Sequence, residues 1–210
     1  MGATSTYELP YPEAADAPNG PTQIQSLAQA IETELTRIDS AADDLDTDLT
    51  NLTNLTNSRP RGLVKWAQRT TPSPTTTAAD LGVLRLDNIP MVGGRQYRIW
   101  TSPLPLDSTV TNDEIRARIR ISTAGAATIA NNAVPGATVH TRQTDANVSE
   151  DKAMSVTYRP TGDQTVSLLL CVGRIAGTGN VSLNNSDDEE TVQLVVEDIG
   201  LAQEQSGITI

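Results

Sequence analysis

The sequence contains no phenylalanine, one cysteine, one histidine and two lysines among its 210 residues. Each shortage removes a class of explanation. A lone cysteine, Cys171, cannot close an intrachain disulfide or furnish a multi-cysteine metal site. His140 alone must serve any Ser-His-Asp or Cys-His arrangement, and neither it nor Cys171 stands in a nucleophile motif such as G-x-S-x-G. A surface histidine and a buried cysteine are expected, with no catalytic residue, metal ligand or cofactor assigned. No stretch approaches 18 uninterrupted apolar residues, and the opening residues lack a charged region followed by an apolar one, so neither a membrane span nor a secretory signal is expected. Positive charge is also scarce: 15 Lys and Arg face 26 Asp and Glu, a net charge of −11. Such a chain repels phosphate backbones and anionic membranes, which excludes nucleic acid as a partner class.

What the chain does contain divides into three parts, expected at 1–20, 21–58 and 59–210. The first holds Tyr7, Leu9, Pro10, Tyr11 and Pro12, with Pro18 and Pro21 beyond. Proline removes backbone donors and restricts the residue before it, so this part is expected to be extended. Two tyrosines and a leucine among prolines would leave apolar area wet unless a partner surface covered it. A stiff, extended segment also loses little entropy on binding, and the reading is a docking peptide.

From Pro21, suited to a first helical position, a seven-residue pattern begins. Ile24, Ile31, Ile38, Leu45 and Leu52 recur every seven residues, with Ala28, Leu35, Ala42 and Leu49 four residues after the first four. Placing the first set at d and the second at a gives one narrow seam, the mark of a coiled coil rather than of a helix packed on its own domain. Leu or Ala at a with Ile at d disfavours two strands; three are expected, because compact β heads on fibres commonly close around a threefold axis. About 35 helical residues would form a rod of roughly 50 Å. The flanks oppose it. Glu32, Asp39 and Asp46 fall at e and Glu34 and Asp48 at g, so adjacent chains present like charges, and the Asp, Thr and Asn residues after Ala42 weaken the helix further. The shaft alone is expected to be marginal, with the following domain holding the trimer together. Pro60 ends the helix.

After Pro60 the period becomes two. Residues 114–121 alternate Ile115, Ala117, Ile119 and Ile121 with Arg116, Arg118 and Arg120, a strand with one buried face. Strands are also expected at 63–68, 83–87, 96–100, 152–158 and 192–197, and at 166–172, whose nearly unbroken apolar run suits a strand covered on both sides. Seven or eight short strands between Gly, Pro, Asn and Asp turns point to a mainly β head, an antiparallel sandwich of jelly-roll type. With two tryptophans and no phenylalanine, its core must rest on Ile, Leu and Val.

Three clusters bear on chemistry. Asp187, Asp188, Glu189 and Glu190 follow Asn184 and Asn185, but without the alternation and glycine of a calcium loop; a solvated turn is the reading. The glycine-rich stretch 173–179 lacks the Lys-Ser/Thr of a phosphate loop and reads as a turn. Arg116, Arg118 and Arg120 could grip carboxylates or phosphates of a cell-surface polymer, or pair with the chain's own excess acid.

The run Tyr-Glu-Leu-Pro-Tyr-Pro-Glu at 7–13, then Asn19-Gly20-Pro21, Ile24-Gln25 and Leu27-Ala28, resembles the opening of minor tail and fibre proteins of phages of actinobacteria. The closing Val-Val-Glu-Asp-Ile-Gly at 195–200 is similar to a segment near the end of such proteins. The resemblance covers about a fifth of the chain and contains no catalytic motif. It implies a virion protein whose N-terminus docks to other virion proteins; the seam adds a homotrimer, and the missing secretory signal adds assembly in the host cytoplasm. Its head would then contact a host glycan or protein as a tail or baseplate fibre, or decorate the shell as a head fibre. Apart from the resemblance, a polysaccharide depolymerase is kept as a weaker alternative.

Overall fold

The computed structural model describes residues 20–183 and 191–201, together with the backbone of Gly2–Ala3 and Pro10–Tyr11. The chain divides into two compact units, 1–57 and 58–210.

In the first unit, β1 (Gly2–Ala3) and β2 (Pro10–Tyr11) pair antiparallel, Gly2 with Tyr11 and Ala3 with Pro10. The helix α1 runs from Gly20 to Ser58 without interruption, and none of its 39 residues is buried. Its local support is thin. The first turn carries no acid and the last no base, so the helix dipole is uncompensated at both ends. The hydroxyls of Ser26, Thr33, Thr36 and Ser40 fold back onto carbonyls four residues earlier, which adds nothing between turns. Arg37 pairs with Glu34 at 2.8 Å on the exposed surface, worth at most about 0.5 kcal/mol.

The second unit is a mainly antiparallel β-sandwich. Its strands are β3 (Gly62–Arg69), β4 (Leu81–Met91), β5 (Arg95–Thr101), β6 (Leu104–Ser108), β7 (Glu114–Ser122), β8 (Ala133–Arg142), β9 (Glu150–Lys152), β10 (Ser155–Tyr158), β11 (Gln164–Ala176), β12 (Val181–Leu183) and β13 (Val192–Leu201). One four-stranded sheet has the order β10-β5-β13-β3 and the other β4-β11-β7-β8. The chain crosses repeatedly between these sheets, and β13 lies beside β3, the wrapped order of a jelly roll. A smaller sheet, β12-β6-β9, adds Leu104, Leu106, Val181 and Leu183 to the same core.

Period-two patterning explains the packing. Ile115, Ala117 and Ile119 of β7, Tyr97 and Ile99 of β5, and Val192, Leu194 and Val196 of β13 all turn into one hydrophobic cluster. Tyr97 is the one aromatic ring among the largest fully buried side chains, and its hydroxyl accepts a hydrogen bond from the Val92 amide at 2.7 Å. The other side chains of that set are Ile, Leu and Met, as expected of a phenylalanine-free head. Strand β11 is covered on both faces: Val166, Leu168, Leu170 and Val172 enter the main core, while Leu169 and Cys171 pack with Ala127 on the outer side.

Several expectations needed correction. The single strand at 152–158 is two, because Met154 separates β9 from β10 and bonds Thr101 instead: its amide donates to Thr101 Oγ1 at 3.1 Å and its carbonyl accepts from the Thr101 amide at 2.9 Å. The stretch 173–179 is not one turn, since β11 continues to Ala176 and the bend begins at Gly177. Gly173 serves close approach: a Cβ there would overlap the Ala79 carbonyl oxygen. Strands β6, β8 and β12 bring the count among the described residues of the head to eleven strands, not seven or eight. Pro105 lies within β6, β12 has three residues, and β8 is interrupted where Gly136 adopts φ 80° and the register shifts, so their alternation is too short or too broken to read.

Candidate functional site

The apolar seam of α1 is the longest functional surface the sequence assigned. Large side chains on it are exposed along its length, with Ile24 70%, Ile31 41%, Leu35 55%, Ile38 50%, Leu45 70%, Leu49 60% and Leu52 60% accessible. Ala28 and Ala42 are exposed as well. An isolated helix gains nothing from such a stripe, whereas each Ile or Leu withdrawn from water is worth about 1.5–3 kcal/mol. Of the docking residues, Pro10 and Tyr11 form β2 by their backbone, while their side chains and Tyr7, Leu9 and Pro12 lie outside the described residues. The acidic run at 187–190 does too.

Arg116, Arg118 and Arg120 project from the outer face of β7 onto one carboxylate, Asp80. The Arg118 Nε donates to Oδ1 at 2.9 Å and to Oδ2 at 3.0 Å, and Arg120 Nε donates to Oδ2 at 3.2 Å. Further bonds reach Asp80 Oδ2 from the Nη2 atoms of Arg118 and Arg120. Arg116 Nη2 lies 3.5 Å from Oδ1 and donates to the Ala79 carbonyl at 3.1 Å. The Asp80 side chain is only 6% exposed. Burial raises its pKa, but the hydrogen bonds and charges of Arg118 and Arg120 outweigh that and hold it below the usual carboxylate range. The ladder thus pairs with the chain's own acid. It fastens the loop before β4 to β7, helped by the contact of Ala79 at Gly173 and by Arg174 N donating to the Ala78 carbonyl at 3.0 Å.

His140 is exposed on β8, whereas Cys171 is fully buried on β11. Burial, reinforced by the Asp80 charge, pushes the Cys171 thiol up to about 11, so it stays protonated and a poor nucleophile at neutral pH. Among the described residues, no group of three or more His, Cys, Asp and Glu could hold a metal ion, and no helix is long and apolar enough to cross a membrane.

A second surface was not assigned from the sequence. On the outer face of the sheet β10-β5-β13-β3, Val195 pairs with Trp66 of β3 on one side and Trp100 of β5 on the other. Both tryptophans of the chain therefore share one cross-strand row, about 10 Å apart at the backbone. With Leu63, Gln193, Val195 and Glu197 they line an open groove of about 310 Å³. Trp66 is 49% and Leu63 58% exposed, whereas Val195 beneath is 5% exposed. The Arg98 guanidinium stacks over the Trp100 ring, 5.7 Å from its centroid. Its Nε donates to Ser155 Oγ at 3.1 Å, and Glu197 lies 3.9 Å away. The signal was parity: Trp100 shares its face of β5 with Gln96 and Arg98, and Trp66 shares its face of β3 with Gln68.

No protein-family model matches the sequence, and no curated protein matches it. The head is similar to solved structures at low identity. The C-terminal domain of EclA, a sugar-binding protein, aligns at 14% identity over 61% of this chain and 77% of that one, with a TM-score of 0.30. A structure of infectious bursal disease virus Gx strain aligns at 14% identity over 70% of this chain and 38% of that one, with a TM-score of 0.33. A CBM4 structure aligns at 17% identity over 67% and 77%, with a TM-score of 0.29. Scores of this size carry no argument about role, and the fold assignment rests on the strand order.

Proposed function

We propose that the chain is a non-enzymatic structural fibre of a bacteriophage particle: a parallel homotrimer, anchored to other virion proteins through its N-terminal segment, with the C-terminal β head distal and in contact with the host surface. The observation that carries the reading is α1. A 39-residue helix without a buried residue, with weak local support and an unbroken heptad seam open to water, has its stabilisation outstanding. Three copies zipped along the seam supply it, and the Ile-rich d layer favours three over two. The resemblance at 7–28 and 195–200 supports a virion protein without distinguishing tail from shell, and a tail or baseplate position is the one that suits contact with the host.

Sedimentation equilibrium of the full chain tests the assembly. The expected mass is three times 22.3 kDa, and a mass of one or two chains overturns the reading. Immunolabelling of particles tests the location: label at the tail tip supports a host-contacting fibre, whereas label over the whole shell assigns the chain to capsid decoration.

A further inference from the structure

We infer that the tryptophan face of the sheet β10-β5-β13-β3 is a contact surface between the heads of copies of this chain, with Leu63, Trp66, Val195 and Trp100 at its centre. This rests on the trimer reading above and deepens it, because it names the part of the head that associates.

Three observations converge. The first is composition. The solvent side of this sheet carries both tryptophans of the chain on one row and the exposed Leu63 beside them, opposite Glu197, and this apolar area is left in water unless another surface covers it. Tryptophan and arginine are among the residues enriched at interface centres. The second is charge. The chain as a whole carries −11, so copies repel one another over most of their surface. Here the charged groups cancel: Arg98 faces Glu197 at 3.9 Å, and its cation also rests on Trp100. The patch is a neutral, apolar window in an acidic molecule, where two like copies approach at least electrostatic cost. The third is tethering. Zipped helices hold three heads at an effective concentration in the millimolar range, so a groove of modest size suffices to associate them.

A glycan is the competing occupant, and the geometry favours it less. A sugar stacks on an open aromatic face, but the Trp100 face is occupied by Arg98, which Ser155 holds in place. Leu63, half of whose surface is wet, offers no hydrogen bond to a hydroxyl.

Because Trp66 and Trp100 are the only tryptophans, tryptophan emission of the full chain, excited at the red edge where tyrosine does not absorb, reports this face alone. The experiment pairs sedimentation with acrylamide quenching of the wild type, the surface variant L63S/W66S, and the seam variant I31D/I38D. The expected result is a wild-type trimer with blue-shifted, quencher-protected emission. L63S/W66S should keep its head melting transition and far-ultraviolet spectrum but dissociate at about tenfold or more higher concentration. The seam variant, once monomeric, should expose its tryptophans to quencher. A wild-type trimer whose tryptophans quench freely, or an L63S/W66S trimer of unchanged strength, overturns this inference while leaving the trimer intact. A monomeric wild type overturns the trimer reading itself. Titration of the wild-type trimer with neutral dextran or galactan that shifts the emission at constant mass overturns the inference in favour of a ligand site.

Discussion

At the scale of residues, one carboxylate set against three guanidiniums is the least forgiving arrangement in the head. Asp80→Asn removes the charge without changing the shape, and leaves Arg116, Arg118 and Arg120 facing one another in a poorly hydrated site. Breaking such a buried pair costs about 3 kcal/mol, which a thermal or urea melt of the head should show at pH 7. The Gly173→Ala change places a methyl against the Ala79 carbonyl, and should cost about 1–3 kcal/mol while freeing the same loop. Acid should act on the same contacts. The carboxyls of Asp80 and Asp113 are lowered in the fold, because hydrogen bonds from Arg118 and Arg120, and from Ser108, Thr178 and Gly179, outweigh burial. That of Glu150 is lowered chiefly by the Thr141 hydroxyl. Between the folded and unfolded pKa values the unfolded chain binds more protons, so the stabilisation is complete above about pH 5, begins to fall as the unfolded carboxyls protonate, and is lost as pH drops through the lowered folded values. Asp107, raised by burial, contributes with the opposite sign. The head melting temperature should therefore hold from neutral pH to about pH 5 and then fall, with a shallower fall in Asp80→Asn.

Elements add constraints that single residues do not. The helix carries seven carboxylates against the guanidinium of Arg37, and in the proposed trimer three parallel copies would multiply that repulsion. Added salt screens charges separated by more than a Debye length, so the trimer should become more stable between 0.05 and 0.5 M NaCl, at roughly constant head stability. A decrease would mean that attractive pairs dominate. The double change Ile31→Asp and Ile38→Asp would put carboxylates into the seam that the proposed trimer desolvates, at a cost of about 2 kcal/mol or more per site. Loss of trimer mass is expected, and unchanged mass and helicity would place the seam on another face. A peptide of residues 20–58 should show little helix at micromolar concentration by circular dichroism, because its local support is weak and its charges repel.

For the whole molecule, the two units divide the work. The helix offers length and a seam, and the jelly-roll head offers rigid surfaces. If the head meets the host, particles carrying a chain truncated after residue 57 should assemble but adsorb poorly. If the chain decorates the shell, the same truncation should leave adsorption unchanged. In either case copy number per particle should be a multiple of three.

The sequence by itself determined the local choices. The heptad seam from Ile24 to Leu52, the stop at Pro60 and the alternation at 114–121 are nearest-neighbour patterns, and a pattern of that range fixes helix, strand and buried face before any tertiary contact forms. Only the tertiary structure decided which distant groups meet. Asp80 and the arginines of β7 are separated by more than 30 residues, and Trp66 reaches the row of Trp100 only because β13 inserts between β3 and β5. Strand order is set by long-range packing and not by periodicity, so the parity of each tryptophan was legible while their meeting on one face was not.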